Sequence, residues 1–422
     1  MRERQRAEAR RKDWIELDYL TAPVAENCDR KRDDGSLKSR GRAALSGMKS
    51  VCALVPYPLD TTPSQRFRIE QWASHLKTYG VVVEIFPFAD QELMALLRER
   101  GRRATKALAV LARFPSRLRD VATVRRYDVV LIHRAVCLAG PAVLERLLTA
   151  FRKPVIFDFD DAVFLLHTTE ANRRFGWLKF PGKTASICGL STHVVAGNAY
   201  LADYARRYNA QVSIIPTSID TARYKPPQMS GQGARVIVGW TGSSTSQTHL
   251  EMFAPILRKV IAQFNVELRV ISDREPALDG IPYEWRRWSP DTEVEEIGCF
   301  DIGIMPMPDD QWSRGKCALK ALQYMAMGVP ALCSDIGANR EVISHGENGF
   351  LAATPEQWLG SLGSLIESRD LRRKIGAAGR RTIEQWYSAQ RCAGLFAGVV
   401  GQVTGQPLQS SPVSGGSIAA AL

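Results

Sequence analysis

The feature that most restricts the fold of this chain is an alternation of short apolar segments with longer amphipathic ones, which stops and then begins again. The first run of predicted strands is Val51–Val55, Val81–Phe86, Asp128–His133, Val155–Phe159, His193–Ala196 and Ser213–Ile215. After a Pro-rich polar stretch, 216–233, the second run is Arg235–Trp240, Glu267–Ile271, Ile302–Met305, Ala331–Ser334 and Gly349–Leu351. Strands that alternate with helices favour parallel sheets joined by right-handed crossovers. The restart predicts two such sheets.

The predicted architecture is α/β, with two Rossmann-like doubly wound domains at residues 48–216 and 217–401, facing each other across a cleft. The helical segment 356–395 is expected to cross back to the first domain. Residues 1–47 are charged and lack apolar periodicity, which predicts a disordered or loosely structured basic tail. Residues 402–422 are low in complexity and are predicted to be a flexible tail. Ligands of open parallel sheets bind at the carboxyl ends of strands, so the cleft is the expected site.

Composition excludes several classes of protein. No run approaches the roughly 18–20 apolar residues of a membrane span, and the Arg-rich start lacks the apolar core of a secretory signal. The eight cysteines form no CxxC pair and no zinc-like cluster, which favours a reducing cytoplasm.

The net charge of +12 is concentrated in one place. Residues 98–126 hold ten Arg and Lys against Glu99 and Asp120, a net +8. Apolar residues recur at near-helical spacing through 93–126, as in basic amphipathic helices that lie on anionic membranes. The alternative is that this apolar stripe packs on the sheet. No base-reading module accompanies the charge, so nucleic acid is not an expected partner.

Five sequence blocks, in one order, resemble the retaining GT-B glycosyltransferases of the group 1 or family 4 type, over about residues 48–395. The longest block, 300–354, reads FDIGIMPMPDDQWSRGKCALKALQYMAMGVPALCSDIGANREVISHGENGFLAAT. The supporting blocks are SQRFRIEQWASHL (64–76), FDFDDAVF (157–164), IPTSIDTARY (215–224) and GWTGSSTSQTHLE (239–251). The resemblance implies transfer of a hexose from a nucleotide diphosphate sugar to a glycan or lipid-linked acceptor, with retention of configuration. It implies no metal and no cofactor besides that co-substrate.

The donor phosphates are expected near Lys316 and Lys320. These lysines lie four residues apart, on one face of the first turn or so of a predicted helix, Cys317–Met327. Arg314, just before them, is also expected to bind the donor. A helix N-terminus offers unpaired N–H groups and positive partial charge to an anion. Stabilising the growing charge of a diphosphate leaving group is the catalytic role predicted for both lysines. The alternative is that both are ordinary surface residues.

Other donor contacts follow from the resemblance. The family commonly has two glutamates eight positions apart, and this chain has Gly315 and Gln323 there. Gln323 retains hydrogen bonds for ribose hydroxyls. Gly242 and Ser243 follow a predicted strand and are expected to approach phosphate. Glu341 is expected to reach ribose or donor sugar, with helix capping or a salt bridge as the alternatives.

The acceptor side is expected at Asp158, Asp160 and Asp161, which end a predicted strand. Asp160 or Asp161 is predicted to orient an acceptor hydroxyl or to assist removal of its proton, with helix capping as the alternative. His133 and Arg134 end the preceding strand and are expected in the same region.

Arg66 and Arg68 follow the first predicted strand and are expected to reach phosphates across the cleft. Two rival functions remain open: a non-catalytic nucleotide-sugar-binding scaffold, suggested by Gly315 and Gln323, and a GT-B-fold epimerase. The predicted location is the cytoplasm, with peripheral binding to the inner membrane, in the synthesis of cell-envelope polysaccharide.

Overall fold

The computed structural model describes residues 47–99, 101–165, 180, 182–227 and 235–408. It contains two parallel six-stranded sheets, which confirms the predicted fold class. The strand orders are β2-β1-β3-β4-β5-β6 and β12-β11-β10-β7-β8-β9. The predicted N-terminal tail, apart from Gly47, and the end of the chain after residue 408 lie outside the described residues.

The first sheet consists of β1 (Lys49–Val55), β2 (Val81–Pro87), β3 (Val129–His133), β4 (Val155–Phe159), β5 (His193–Ala196) and β6 (Val212–Ile214). The helices that accompany it are α1 (Pro63–Gln65), α2 (Gln71–Leu76), α3 (Gln91–Arg98), α4 (Arg103–Leu111), α5 (Phe114–Thr123), α6 (Val143–Thr149), α7 (Gly182–Leu190) and α8 (Ala199–Arg206). A π-helical turn, Arg66–Glu70, joins α1 to α2, and 3-10 turns follow at Lys77–Tyr79 and Val124–Arg126.

The second sheet consists of β7 (Val236–Gly242), β8 (Val266–Ser272), β9 (Glu284–Arg287), β10 (Ile302–Met305), β11 (Ala331–Ser334) and β12 (Phe350–Ala352). Its helices are α9 (Gln247–Met252), α10 (Ala254–Gln263), α11 (Glu293–Gly298), α12 (Gln311–Arg314), α13 (Leu319–Ala326), α14 (Asn339–Val342), α15 (Pro355–Glu367) and α16 (Arg369–Thr382). A π-helical segment, Ile383–Tyr387, leads into α17 (Ala389–Thr404).

Both faces of the first sheet are covered, as its crossover topology requires. Alternate residues of β1 point to opposite faces, because side chains of a strand have a period of two. Cys52 and Leu54 join the core beneath α3, α6 and α7. Val51, Ala53 and Val55 join the core formed with α2 and α17.

The last helix, α17, packs on the first sheet although it follows the second one in sequence. The rings of Phe396 in α17 and Trp72 in α2 lie with centroids 5.6 Å apart, and both side chains are buried. The helix continues to Thr404, and Gly405 closes it in the left-handed conformation. The tail predicted from residue 402 therefore begins too early, because those first residues still extend an amphipathic helix. Among the described residues, no helix is both long and apolar enough to cross a membrane.

Candidate functional site

The carboxyl ends of β3 and β4 in the first sheet lie beside the loop that precedes α13 in the second. Three contacts join the two sides. Lys316 Nζ lies 2.9 Å from Asp161 Oδ1, and Cys317 Sγ donates to the carbonyl oxygen of Asp160 at 3.1 Å. Asn198 Nδ2 donates to the carbonyl oxygen of Lys316 at 3.0 Å. The expected acceptor and donor residues are thus brought together where the two domains meet.

Asp158, at the end of β4, is fully buried, and its carboxylate binds other buried side chains. Arg68 binds it through Nε, at 3.0 Å from Oδ2, and through a second guanidinium nitrogen at 2.5 Å from Oδ1. His133 Nδ1 lies 2.7 Å from Oδ2. Burial alone would raise the pKa of Asp158, but the Arg68 charge and the hydrogen bonds from His133 and Arg68 hold that pKa below its usual range. This carboxylate is a structural anion.

Asp160 accepts from a second set of donors. Ser64 Oγ donates to its Oδ1 at 2.5 Å and lies 3.0 Å from His133 Nε2. Arg134 donates to the same oxygen from Nε at 3.0 Å and from a terminal nitrogen at 2.9 Å. Burial works against the charge, yet Arg134, followed by His133, holds the pKa of Asp160 well below its usual range. So weak a base is suited to holding neighbouring groups in place and poorly suited to removing a proton.

The structure places three of the residues expected on the acceptor and phosphate side in the interior. Asp158, His133 and Arg68 are completely buried, so their side chains do not reach the surface in this arrangement. The third Arg68 nitrogen donates to the carbonyl oxygen of Ile215 at 2.8 Å, which leaves the guanidinium no reach toward phosphate. The physical reason is that Arg68 and His133 both bind the carboxylate of Asp158, so that these polar groups satisfy one another inside the domain.

Asp161 and Arg134 remain at the cleft surface, each with 15% of its side chain exposed. Arg134 donates to Asp161 Oδ2 as well as to Asp160. Arg134 also has a positive φ of 59°, which costs a non-glycine residue roughly 1 kcal/mol or more. Its guanidinium thus holds two acidic side chains at one strand edge, from a strained backbone position.

Lys320, in the first turn of α13, is a partly buried cation. Among the described residues, its Nζ has no hydrogen-bond or ion-pair partner and lies 5.5 Å from the centroid of the Trp240 ring. Burial, followed by repulsion from Lys316, lowers the pKa of Lys320 to about 8. An anion placed beside this ammonium would remove both penalties.

The helix that carries Lys320 starts later than its sequence predicts. It begins at Leu319, because Ala318 takes the left-handed conformation with φ 54°. Lys316 therefore precedes the helix, and the expectation that both lysines lie on one helical face is wrong. They are nevertheless neighbours, since the charge of Lys316 is the second cause of the lowered pKa of Lys320.

Arg66 takes part in a buried cluster between the domains that we call the Glu293 hub (Arg66, Tyr224, Trp288, Glu293, Gln323). The Glu293 carboxylate accepts from an Arg66 nitrogen, from the Tyr224 hydroxyl at 2.8 Å, from Trp288 Nε1 at 3.0 Å and from Gln323 Nε2 at 3.0 Å. The Gln323 amide also donates to the Tyr224 hydroxyl at 3.2 Å. Gln323 is 3% exposed, so the prediction that it contacts ribose is not met in this structure. Arg66 likewise binds Glu293 where a phosphate was expected.

The two domains pack closely around Gly315, which with Gln323 is one of the two positions that differ from the family pattern. A Cβ on Gly315 would lie 2.6 Å from the Cβ of Ala162 in the first domain. A Cβ on Gly197 would lie 2.5 Å from Cys317 Sγ. Neither position has room for a side chain in this arrangement.

The Gly242–Ser246 loop, at the end of β7, is held in place by hydrogen bonds to Asp273. Ser244 donates through its backbone N at 2.5 Å and through its hydroxyl at 2.9 Å to the carboxylate of Asp273. A Cβ on Gly242 would lie 2.4 Å from the Trp240 ring, so glycine is required there for packing. The Ser243 side chain is exposed.

Two other predicted donor residues have partners within the protein. Glu341 Oε1 accepts from the backbone N of Ala199, the first residue of α8, at 3.3 Å, which matches the capping alternative. Arg314 is exposed and binds Asp309 at 2.7 Å. The backbone carbonyl of Arg314 accepts from Asn198 at 3.4 Å.

Sequence reasoning missed Ser64, Glu293, Tyr224 and Asn198 as members of the site. Ser64 and Tyr224 do lie in two of the quoted family blocks, which was a usable signal. Glu293 lies in an acidic helix start, EVEE, that reads as an ordinary N-terminal turn. Three of its partners come from its own domain and Arg66 comes from the other, so its role is visible only in the folded chain.

Part of the chain is similar in sequence to known proteins. Residues 235–368 match the sequence model of the family described as Glycosyl transferases group 1. Spore coat protein SA of Bacillus subtilis is 35% identical over 74 residues, which are 17% of this chain and 20% of that protein. The alignment thus spans only about a fifth of that relative's length.

Solved structures share the fold over most of the chain. A glycosyltransferase from Rickettsia africae has a TM-score of 0.61 at 14% identity, over 84% of this chain and 98% of that one. HepE of Anabaena, solved with UDP and glucose, has a TM-score of 0.59 at 14% identity, over 84% of this chain and 100% of that one. Sucrose-phosphate synthase of Thermosynechococcus elongatus has a TM-score of 0.61 at 12% identity, over 85% and 99%.

Proposed function

We propose that this GT-B protein, whose residues 235–368 match the model of the group 1 glycosyl transferases, transfers a hexose from a nucleotide diphosphate sugar to a glycan or lipid-linked acceptor. The transfer retains the anomeric configuration and uses no metal. Lys316 and Lys320 hold the donor diphosphate.

The observation that carries the proposal is the state of Lys320. A cation that has been withdrawn from water without an ion-pair partner is costly, and such groups concentrate at functional sites. Burial, followed by repulsion from Lys316, lowers the pKa of Lys320 to about 8, and the charge of Asp161 offsets this only in part. A diphosphate supplies the missing anion, and the N-terminus of α13 adds its positive partial charge.

The same arrangement supports catalysis at the leaving group. Negative charge accumulates on the diphosphate as the glycosidic bond breaks, and fixed cations stabilise that charge more than they stabilise the bound donor. Lys316 and Lys320 are held at the domain boundary, where closure excludes water and strengthens their effect. Asp161 and Arg134 lie on the acceptor side of the same boundary. The UDP and UDP-glucose bound by HepE are examples of the donor class.

Donor turnover tests the activity. The protein is incubated with UDP-, GDP-, ADP- and dTDP-sugars, and release of the nucleoside diphosphate is measured with and without candidate acceptors. We expect release from at least one donor, with product of unchanged anomeric configuration by NMR and no loss in EDTA. Turnover that requires a metal, or an inverted product, would contradict the mechanism.

A non-catalytic nucleotide-sugar-binding protein is the second candidate, and one observation favours it. The two positions where the family has glutamates are closed, Gly315 by Ala162 and Gln323 by the Glu293 hub. Saturable nucleotide-sugar binding without transfer or slow hydrolysis of any donor would favour this candidate over the transferase.

We also propose peripheral binding to an anionic membrane through α4 and α5. Leu108, Leu111 and Leu118 are exposed by 66%, 61% and 46%, among several arginines. The rest of the 93–126 stripe packs inward, as the alternative interpretation held: Leu93 and Val121 are buried. Flotation with anionic vesicles tests this, with Leu108→Ser/Leu111→Ser as the variant expected to float less. Absence of wild-type binding at low salt would reject it.

A further inference from the structure

The two proposed donor lysines differ in one respect that has a functional consequence. Lys320 has no ion-pair or hydrogen-bond partner among the described residues, whereas Lys316 already has an anion beside it. That anion is Asp161, which comes from the first domain, 2.9 Å from the Lys316 ammonium.

The position of the Lys316–Asp161 ion pair allows another anion to replace the Asp161 carboxylate. The Lys316 side chain is 32% exposed and the Asp161 side chain 15%, so solvent and solutes reach both. The neighbouring Arg68–Asp158 pair, by contrast, is 0% exposed on both sides and is fixed in the interior. An ion pair that is partly open to solvent contributes less net stability than a buried one, and a better anion can replace its carboxylate.

Asp161 also keeps a partner when Lys316 is taken away. Its second oxygen accepts from Arg134, which is itself anchored on Asp160 by two hydrogen bonds. Loss of the lysine therefore does not leave the carboxylate as a buried uncompensated charge. Separation of Asp161 from Lys316 therefore costs less free energy than it would for a carboxylate with no second partner.

We propose that Asp161 is an internal competitor of the donor diphosphate: its carboxylate occupies the anion position on Lys316, and a bound diphosphate displaces it. This inference rests on the proposed function, since it assumes that Lys316 and Lys320 form the diphosphate site. A diphosphate carries more charge than a carboxylate and engages Lys320 as well, so it wins the exchange at sufficient concentration. The displaced Asp161 stays with Arg134 at the acceptor edge.

Removal of the Asp161 carboxylate should increase the affinity for a diphosphate. Substitution of a residue in a binding site normally weakens binding, but removal of a competitor strengthens it. Asp161→Asn is therefore expected to bind inorganic pyrophosphate about two- to fivefold more tightly than wild type, as expected for an ion pair of modest strength. In a Lys316→Ala background, Asp161→Asn should change the affinity little, because the competition has been removed.

Isothermal titration of inorganic pyrophosphate, and then of UDP, GDP, ADP and dTDP, tests this on the full chain. Asp203→Asn removes a carboxylate of the same domain that pairs with Arg206 at the surface, and it should leave the affinity unchanged. Asp161→Ser repeats the test should the Asn variant unfold. Unchanged or weaker binding by both Asp161 variants overturns the competitor role alone. If wild type and variants bind neither pyrophosphate nor any of the nucleotides, the diphosphate site itself is contradicted.

Discussion

Gly315 lies so close to Ala162 of the opposite domain that a Cβ on Gly315 would be 2.6 Å from the Cβ and 2.9 Å from the backbone N of Ala162. Backbone and side chain of the facing loop thus fill the space that a side chain at position 315 would need. The family pattern to which the sequence was compared has a glutamate at this position, and the contact between the domains leaves no room for one here.

Gly315→Ala is expected to lower the free energy of unfolding by about 1–3 kcal/mol, because overpacking at a tight contact forces both loops apart. Gly315→Glu should be more disruptive and should enlarge the radius of gyration in solution scattering. It should not raise turnover, although it restores the family residue.

Gly360→Ala is the matched control for Gly315→Ala, since a Cβ there meets nothing within 4 Å and the residue lies inside α15. It should be neutral or stabilise the protein by about 0.5–1 kcal/mol. Equal effects of the two substitutions on chemical denaturation would show that the Gly315 contact is unimportant.

The Glu293 hub explains why residue 323 is Gln. Its amide nitrogen donates to Glu293 Oε1 at 3.0 Å. Gln323→Glu would place a second carboxylate against the first in a buried site, and we expect it to cost about 3 kcal/mol of stability. Urea unfolding measures that loss.

Exchanging the two side chains provides the test of specificity. Glu293→Gln combined with Gln323→Glu restores one carboxylate and one amide to the hub, so it should recover part of the lost stability. If the double variant is as unstable as the sum of the two single variants, carboxylate repulsion is not the cause.

The pH dependence of diphosphate binding follows from Lys320. Its pKa is lowered to about 8, and only the protonated form attracts an anion. As pH rises through 8 the ammonium is lost, so the dissociation constant for a nucleoside diphosphate should rise above pH 8, approaching tenfold per unit. Titration calorimetry at pH 7, 8, 9 and 9.5 measures it.

Lys320→Arg separates this effect from general alkaline changes, because a guanidinium stays charged throughout the range. The variant should bind with a flat profile between pH 7 and 9.5. A wild-type profile that is equally flat would mean that Lys320 does not contact the ligand.

Much of the fold follows from the sequence, because apolar periodicity reports strands that are buried on both faces. All of the predicted strands are present within about two residues of their predicted bounds. One further strand, β9 (Glu284–Arg287), was not predicted, because it lies at the edge of the sheet and its sequence, EWRR, is polar. The early start predicted for α13 has a different cause, the left-handed backbone at Ala318, which no propensity predicts for alanine.

The site was less predictable, because its charges pair over long distances. Sequence pattern identified Arg66 and Arg68 as cations beside the cleft, but it could not show that Glu293 and Asp158 neutralise them. Arg66 and Glu293 lie 227 residues apart and meet only when the domains dock. Lys320 has no such ion-pair partner among the described residues, and its role toward a diphosphate stays a prediction.

The most direct test of the diphosphate site is calorimetric titration of the nucleoside diphosphates UDP, GDP, ADP and dTDP into wild type, Lys320→Ala and Lys374→Ala at pH 7.5. Lys374 is an exposed lysine of α16 in the same domain and serves as the charge-matched control. We expect saturable binding of at least one nucleotide by wild type and by Lys374→Ala, and at least tenfold weaker binding by Lys320→Ala. Unchanged affinity in Lys320→Ala would contradict the proposed donor site.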